Sequence, residues 1–151
     1  MDVSESAEMY LLKTALLEEV AEQVPLPQLA GELGISPISV NQMCRKLQDQ
    51  GLLTYRPYKG VKLTATGRAM ANKVIRRRRL WEVFLVEQLG LSLAMAEDAA
   101  CALEHVTTDE VVAHLAAYLD YPSLCPHRRP IPAGPDAEAL RTEARPTDQS
   151  E

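Results

Sequence analysis

Residues 34–37, Gly-Ile-Ser-Pro, stop one helix and start another within four positions, and this punctuation limits the fold more than any other feature of the chain. Glycine suits the left-handed position just past a helix, a serine hydroxyl can cap the next helix, and proline fits the first helical position. The spacing predicts a short helix over residues 28–33 and a longer one over 37–50, halted by Gly51. Two such helices in series outline a helix-turn-helix. The second would turn Val40, Met43, Cys44 and Leu47 inward, and Ser39, Asn41, Gln42, Arg45 and Lys46 outward. Upstream, residues 5–22 are rich in helix formers, with Met9, Leu12, Leu16 and Val20 at helical spacing. Downstream, residues 52–55 and 61–64 read as two strands around a basic turn at 56–60, a wing beside the reading helix.

Charge segregates over the same stretch. The chain has a formal charge of −5, yet residues 35–80 carry eleven Lys and Arg against the single acid Asp49, so this window holds +10 and the remainder −15. A basic stripe on an acidic body is what a phosphate-neutralising module needs, although a solvated basic face has the same composition.

Thr64 can cap a fourth helix over residues 65–89. Its segment 80–89, LWEVFLVEQL, is apolar nearly all round and includes the only Trp and the only Phe. Such a helix must be buried on every side. The expectation is a two-fold homodimer interface through Leu80, Trp81, Phe84, Leu85 and Leu89. After Gly90, Ser92 can cap a fifth helix to about residue 106, and Thr107 with Glu110 forms a capping box for a sixth, to about 119. Residues 133–151 are small, polar and charged and read as a disordered tail. No run approaches the ~18 apolar residues of a membrane helix, and no basic-then-apolar leader opens the chain, so a cytoplasmic protein without membrane contact is expected. Three cysteines, at 44, 101 and 125, point to reduced thiols.

The segment Cys101-Ala102-Leu103-Glu104-His105 carries the clearest chemistry. On a helix, positions 101, 104 and 105 fall within an arc of about 100°. Thiolate, carboxylate and imidazole together suit a divalent first-row transition metal. A buried thiol beside a surface Glu-His pair fits the spacing equally well. Cys101 and His105 could also make a nucleophile and base, but no phosphate loop, nucleophile elbow or oxyanion element accompanies them, so no enzyme is expected. Cys44 is assigned to packing.

Several motifs occur in order between Glu8 and Pro132: Glu8-Met9-Tyr10-Leu11, the segment 36–47, Tyr58-Lys59-Gly60-Val61-Lys62-Leu63-Thr64, Arg79-Leu80-Trp81-Glu82, Ala100-Cys101, Glu104-His105-Val106, and Cys125-Pro126-His127 with Pro130-Ile131-Pro132. By these the chain resembles the diphtheria toxin repressor family of iron- and manganese-dependent transcriptional repressors. The resemblance implies a mostly α fold: a winged helix-turn-helix DNA-binding domain over residues 1–72, then a helical metal-binding and dimerisation domain over 73–132. Longer members carry an SH3-like domain for which these 151 residues leave no room.

The family's principal metal site matches Met9, Cys101, Glu104 and His105. Its base-reading glutamine matches Gln42, with Ser36, Pro37, Ser39 and Asn41 nearby, while Lys46, Arg56, Lys59 and Lys62 would hold phosphates. At the ancillary site, where the family has two histidines and a glutamate, this chain has Arg78, Glu82 and Glu97. Arginine has no lone pair to give a metal. The expectation is that its guanidinium lies between the two carboxylates in place of a second ion, leaving one ion per subunit; the alternative points Arg78 at phosphate or solvent. Sulfur from Met9 and Cys101 favours Fe(II), with Mn(II) possible. Cys125 and His127 could hold a further ion, but in a proline-rich loop the expectation is that they shape a turn. The implied function is metal-dependent repression in iron or manganese homeostasis, with the metal as co-repressor ordering a homodimer on an inverted repeat in double-stranded operator DNA. The rival is a metal-independent winged-helix regulator that senses redox state or a small molecule through Cys101.

Overall fold

The computed structural model describes residues 4–134 and has the element order α1 (Glu5–Glu18), α2 (Leu26–Leu33), α3 (Pro37–Asp49), β1 (Leu53–Arg56), β2 (Gly60–Leu63), α4 (Ala65–Glu87), α5 (Leu93–Leu103) and α6 (Asp109–Tyr118). It is mostly α, with a winged helix-turn-helix followed by helices. Two compact units divide inside α4, the first ending at Val74 and the second beginning at Ile75. From residue 135 onward, the tail expected over 133–151 lies outside the described residues.

The first unit is built on the predicted punctuation. Gly34 takes φ +64°, and the Ser36 hydroxyl accepts from the Ser39 amide at 3.3 Å. Leu11, Leu12, Leu29, Val40, Leu47, Leu52, Leu53 and Val61 are buried together with Cys44. Burial pushes the Cys44 thiol up to about 11 from an ordinary 9.0. It therefore stays protonated at neutral pH, as a packing role requires. Because the folded value is raised, this contribution to stability is whole below pH 9 and fades as the pH climbs toward 11. Alkylation of the native protein at pH 8 should spare Cys44 until denaturant is added, as peptide mass mapping would show; fast native labelling there would contradict the packing assignment.

β1 and β2 pair antiparallel from Leu53↔Leu63 to Arg56↔Gly60. Val24, between α1 and α2, bonds Val61 in both directions, amide to carbonyl at 2.9 Å and the reverse at 2.8 Å. That bridge explains a difference from the sequence. α1 stops at Glu18 instead of residue 22, and Val20 is 82% exposed. The chain has to turn early for Val24 to reach the wing. Glu18 also accepts from the Leu63 amide at 2.6 Å and pairs with Arg68, which ties the helix end to β2 and α4. The Thr64 cap is present, with its hydroxyl accepting from the Gly67 amide at 3.1 Å.

In the second unit, Leu80, Val112, Leu115 and Ala116 form a buried cluster, and Trp81, Phe84, Leu119 and Ile131 pack against it. Leu80 and Leu85, expected at a subunit interface, are 1% and 7% exposed within the unit itself. They serve its own core. Trp81 and Phe84 are only partly buried, and Leu89 is 59% exposed. The start of α6 also shifts: its cap is Thr108, whose hydroxyl accepts from the Val111 amide at 3.3 Å. The Thr107 hydroxyl is already engaged, accepting from Trp81 Nε1 at 2.8 Å and donating to the Leu103 carbonyl at 2.6 Å. α5 ends at Leu103, so Glu104 is its C-cap and His105 lies in the following turn. Among the described residues, no helix is long and apolar enough to cross a membrane.

Candidate metal centre and nucleic-acid interface

The cap Ser36 is exposed, as are Pro37, Ser39, Gln42, Arg45 and Lys46 of the reading helix α3, and the wing exposes Arg56, Lys59 and Lys62. Two expectations are modified. Asn41 is half-buried with its side-chain oxygen out of solvent, so it does not share the outward face of Gln42. Ser36 is committed to the helix start, since its hydroxyl also donates to Ser39 Oγ at 3.0 Å. Ile38 was missed, although it is 74% exposed on the first turn of α3. Its signal was available: it lies off the Val40, Cys44, Leu47 stripe, and an apolar group there suits a thymine methyl.

The second unit holds the candidate ligands. Glu104 is fully buried at the end of α5, and its Oε1 lies 3.1 Å from His105 Nε2, whose side chain is also buried. Cys101 is half-buried one turn earlier on α5. Met9 is half-buried on α1, in the other unit. Among the described residues, three potential metal-binding atoms lie mutually within 4.8 Å at Glu82, Cys125 and His127. Cys125 and His127, expected to shape a turn with a further ion as the alternative, are therefore brought to a carboxylate as a donor set. Their loop is held by its own backbone: the Cys125 amide donates to the Arg129 carbonyl at 2.9 Å, the Arg128 amide to the Cys125 carbonyl at 2.8 Å, and the Ile131 amide to the Ser123 carbonyl at 2.9 Å. Arg79 of α4 fastens the loop to the helix that carries Glu82 by donating to the Pro130 carbonyl at 2.5 Å.

Arg78 lies where the ancillary reading puts it. Its Nε is 3.6 Å from Glu82 Oε1 and its NH2 group 3.7 Å from Glu97 Oε1. The same Nε is also 3.7 Å from Glu104 Oε2. The phosphate-or-solvent alternative does not fit a side chain only 14% exposed among three carboxylates. Thiolate, imidazole and carboxylate at Glu82, Cys125 and His127 form a mixed set that fits a divalent first-row ion, and the buried Glu104 beside His105 supplies two further donors.

An open apolar groove of about 580 Å³ lies on the second unit, lined by Trp81, Phe84, Val111, His114, Leu115 and Tyr118. Trp81 and Phe84 meet edge to face, with centroids 5.8 Å apart. Of the residues expected at a subunit interface, Trp81 and Phe84 line this groove.

Two family models match the chain. One describes the N-terminal DNA-binding domain of iron-dependent repressors and covers residues 2–61; the other describes their metal-binding and dimerisation domain and covers 64–133. An uncharacterised HTH-type transcriptional regulator of Methanocaldococcus jannaschii is 35% identical over 119 residues, which are 78% of this chain and 95% of that one. The iron-dependent repressor IdeR of Mycobacterium leprae is 35% identical over 148 residues, 94% of this chain and 64% of that protein. A solved manganese-dependent transcriptional repressor in complex with manganese superposes with a TM-score of 0.78 at 36% identity, over 86% of this chain and 59% of that one.

Proposed function

The chain belongs to the iron-dependent repressor family of metal-dependent, DNA-binding transcriptional regulators, and from that membership we propose that it represses transcription as a homodimer whose hold on operator DNA is switched by Fe(II) or Mn(II). The observation that carries this reading is the convergence of Glu82, Cys125 and His127 in a chain that also has a winged helix with an exposed basic face.

In this reading Cys101, Glu104 and His105 hold the co-repressor ion. Glu82, Cys125 and His127 hold a second ion, which raises the expected number per subunit from one to two. The metal adds a fixed positive charge that gathers these ligands and stabilises the conformation in which they are close. Its leverage is its difference in affinity between that conformation and the others. The competent dimer places two α3 helices about 34–36 Å apart, one turn of DNA, and so demands an inverted repeat. Gln42 reads a base edge, Ile38 offers apolar contact, and Lys46, Arg56, Lys59 and Lys62 meet phosphates. Trp81, Phe84 and Leu89 face the partner subunit.

Because Lys59 sits exposed on the wing, Lys59→Ala should weaken binding to all duplexes alike and reduce the salt slope of log K by about one unit. Titration of two unrelated duplexes over a salt series reads this; an altered base preference would mean that the wing reads sequence. The reading as a whole is tested by selecting from a random duplex library under anaerobic Fe(II) or Mn(II). Enrichment of an inverted repeat in metal and not in chelator is expected, and enrichment of no sequence in either metal would overturn it.

A further inference from the structure

Arg78 engages one oxygen of Glu82 and one of Glu104, and in each case the other oxygen faces a histidine of a different donor set. Glu82 Oε1 lies 3.6 Å from Arg78 Nε and its Oε2 lies 3.7 Å from His127 Nδ1. Glu104 Oε2 lies 3.7 Å from the same Nε and its Oε1 lies 3.1 Å from His105 Nε2. Glu97 closes the arrangement, 3.7 Å from the guanidinium and 4.0 Å from His127 Nε2. One cation thus stands between Glu82 of one set and Glu104 of the other.

We infer that Arg78 is a resident counter-ion shared by both donor sets: it holds their carboxylates together without metal and weakens the hold of each set on a divalent ion. The inference rests on the metal-binding reading above. Three carboxylates around one guanidinium, two of them 5% exposed or less, would repel one another if it were removed. Arginine cannot lose its charge to relieve an incoming ion, so every metal that uses Glu82 or Glu104 binds against a fixed positive neighbour. The arginine therefore makes the unit less dependent on metal for its fold and less avid for metal.

Both effects are measurable on the full chain with Arg78→Gln. In chelator the variant should melt below the wild type, and Co(II) should narrow that gap. In Co(II) titrations followed by the cobalt–thiolate absorption band, the variant should bind about tenfold more tightly. Arg78→Lys, which keeps a charge but reaches fewer carboxylates, should fall between the two proteins in both measurements. A glutamine variant that melts like the wild type in chelator, or that binds Co(II) no more tightly, would overturn the inference. If the glutamine variant does not fold, the lysine variant decides, and identity with the wild type would overturn it. A wild type that gives no cobalt band at all refutes the metal-binding reading itself, whereas the melting comparison in chelator tests the counter-ion without any metal.

Discussion

His105→Ala is expected to cost about 100-fold or more in operator affinity at fixed Mn(II), while the protein stays folded and dimeric. The imidazole has its Nε2 3.1 Å from the carboxylate of the fully buried Glu104, at the end of α5. Truncation removes a proposed ligand and the imidazole beside that carboxylate. Arg78 remains on the other oxygen of Glu104, 3.7 Å away, so the buried charge keeps a counter-ion and the fold survives. Fluorescence anisotropy on a labelled operator gives the affinity, and circular dichroism with sedimentation checks fold and assembly. An alanine variant that binds as tightly as the wild type, with the same metal response, would remove His105 from the co-repressor site.

The second large effect is structural. Gly60→Ala should destabilise the first unit by about 3 kcal/mol and abolish operator binding with it. Gly60 has φ +110°, a backbone region that side chains rarely enter, and a Cβ there would overlap the Val24 carbonyl. That carbonyl accepts from the Val61 amide, so the clash falls on the bridge that ties the wing to the segment between α1 and α2. Strain and a broken bridge coincide at one residue. Urea titration followed by circular dichroism measures the loss; a midpoint within error of the wild type would mean that the wing can shift away at little cost.

Elements set by local chemistry were legible from the sequence. Gly34, Ser36 and Pro37 bound α2 and α3 through backbone conformation and a short-range cap, so the reading helix is where its residues put it. Thr64 likewise begins α4. What the sequence concealed depends on distant partners. α1 ends early because Val24 pairs with Val61 and Glu18 with Leu63, contacts across about forty positions with no local mark. The α6 cap moves by one residue because Trp81 and Leu103 claim the Thr107 hydroxyl. Apolar pattern alone could not divide Leu80 and Leu85, taken into the core, from Trp81 and Phe84, which line an open groove.

The candidate site divides in the same way. Glu104 and His105 are adjacent in sequence and were read together. Glu82, Cys125 and His127 converge only because a loop held by its own amides, and by Arg79, returns to α4. Arg78 was placed between Glu82 and Glu97 from its i+4 spacing and the family pattern. Its third carboxylate, Glu104, came from α5 and had no such spacing to reveal it.

The central claim is that a bound divalent cation decides whether this protein holds operator DNA. Its most direct test is the dissociation constant of the wild type for the selected inverted repeat, measured in Mn(II), then in chelator, then after metal is restored. The account predicts tight binding, a loss of about 100-fold or more, and full recovery. Equal affinity in metal and in chelator would contradict it.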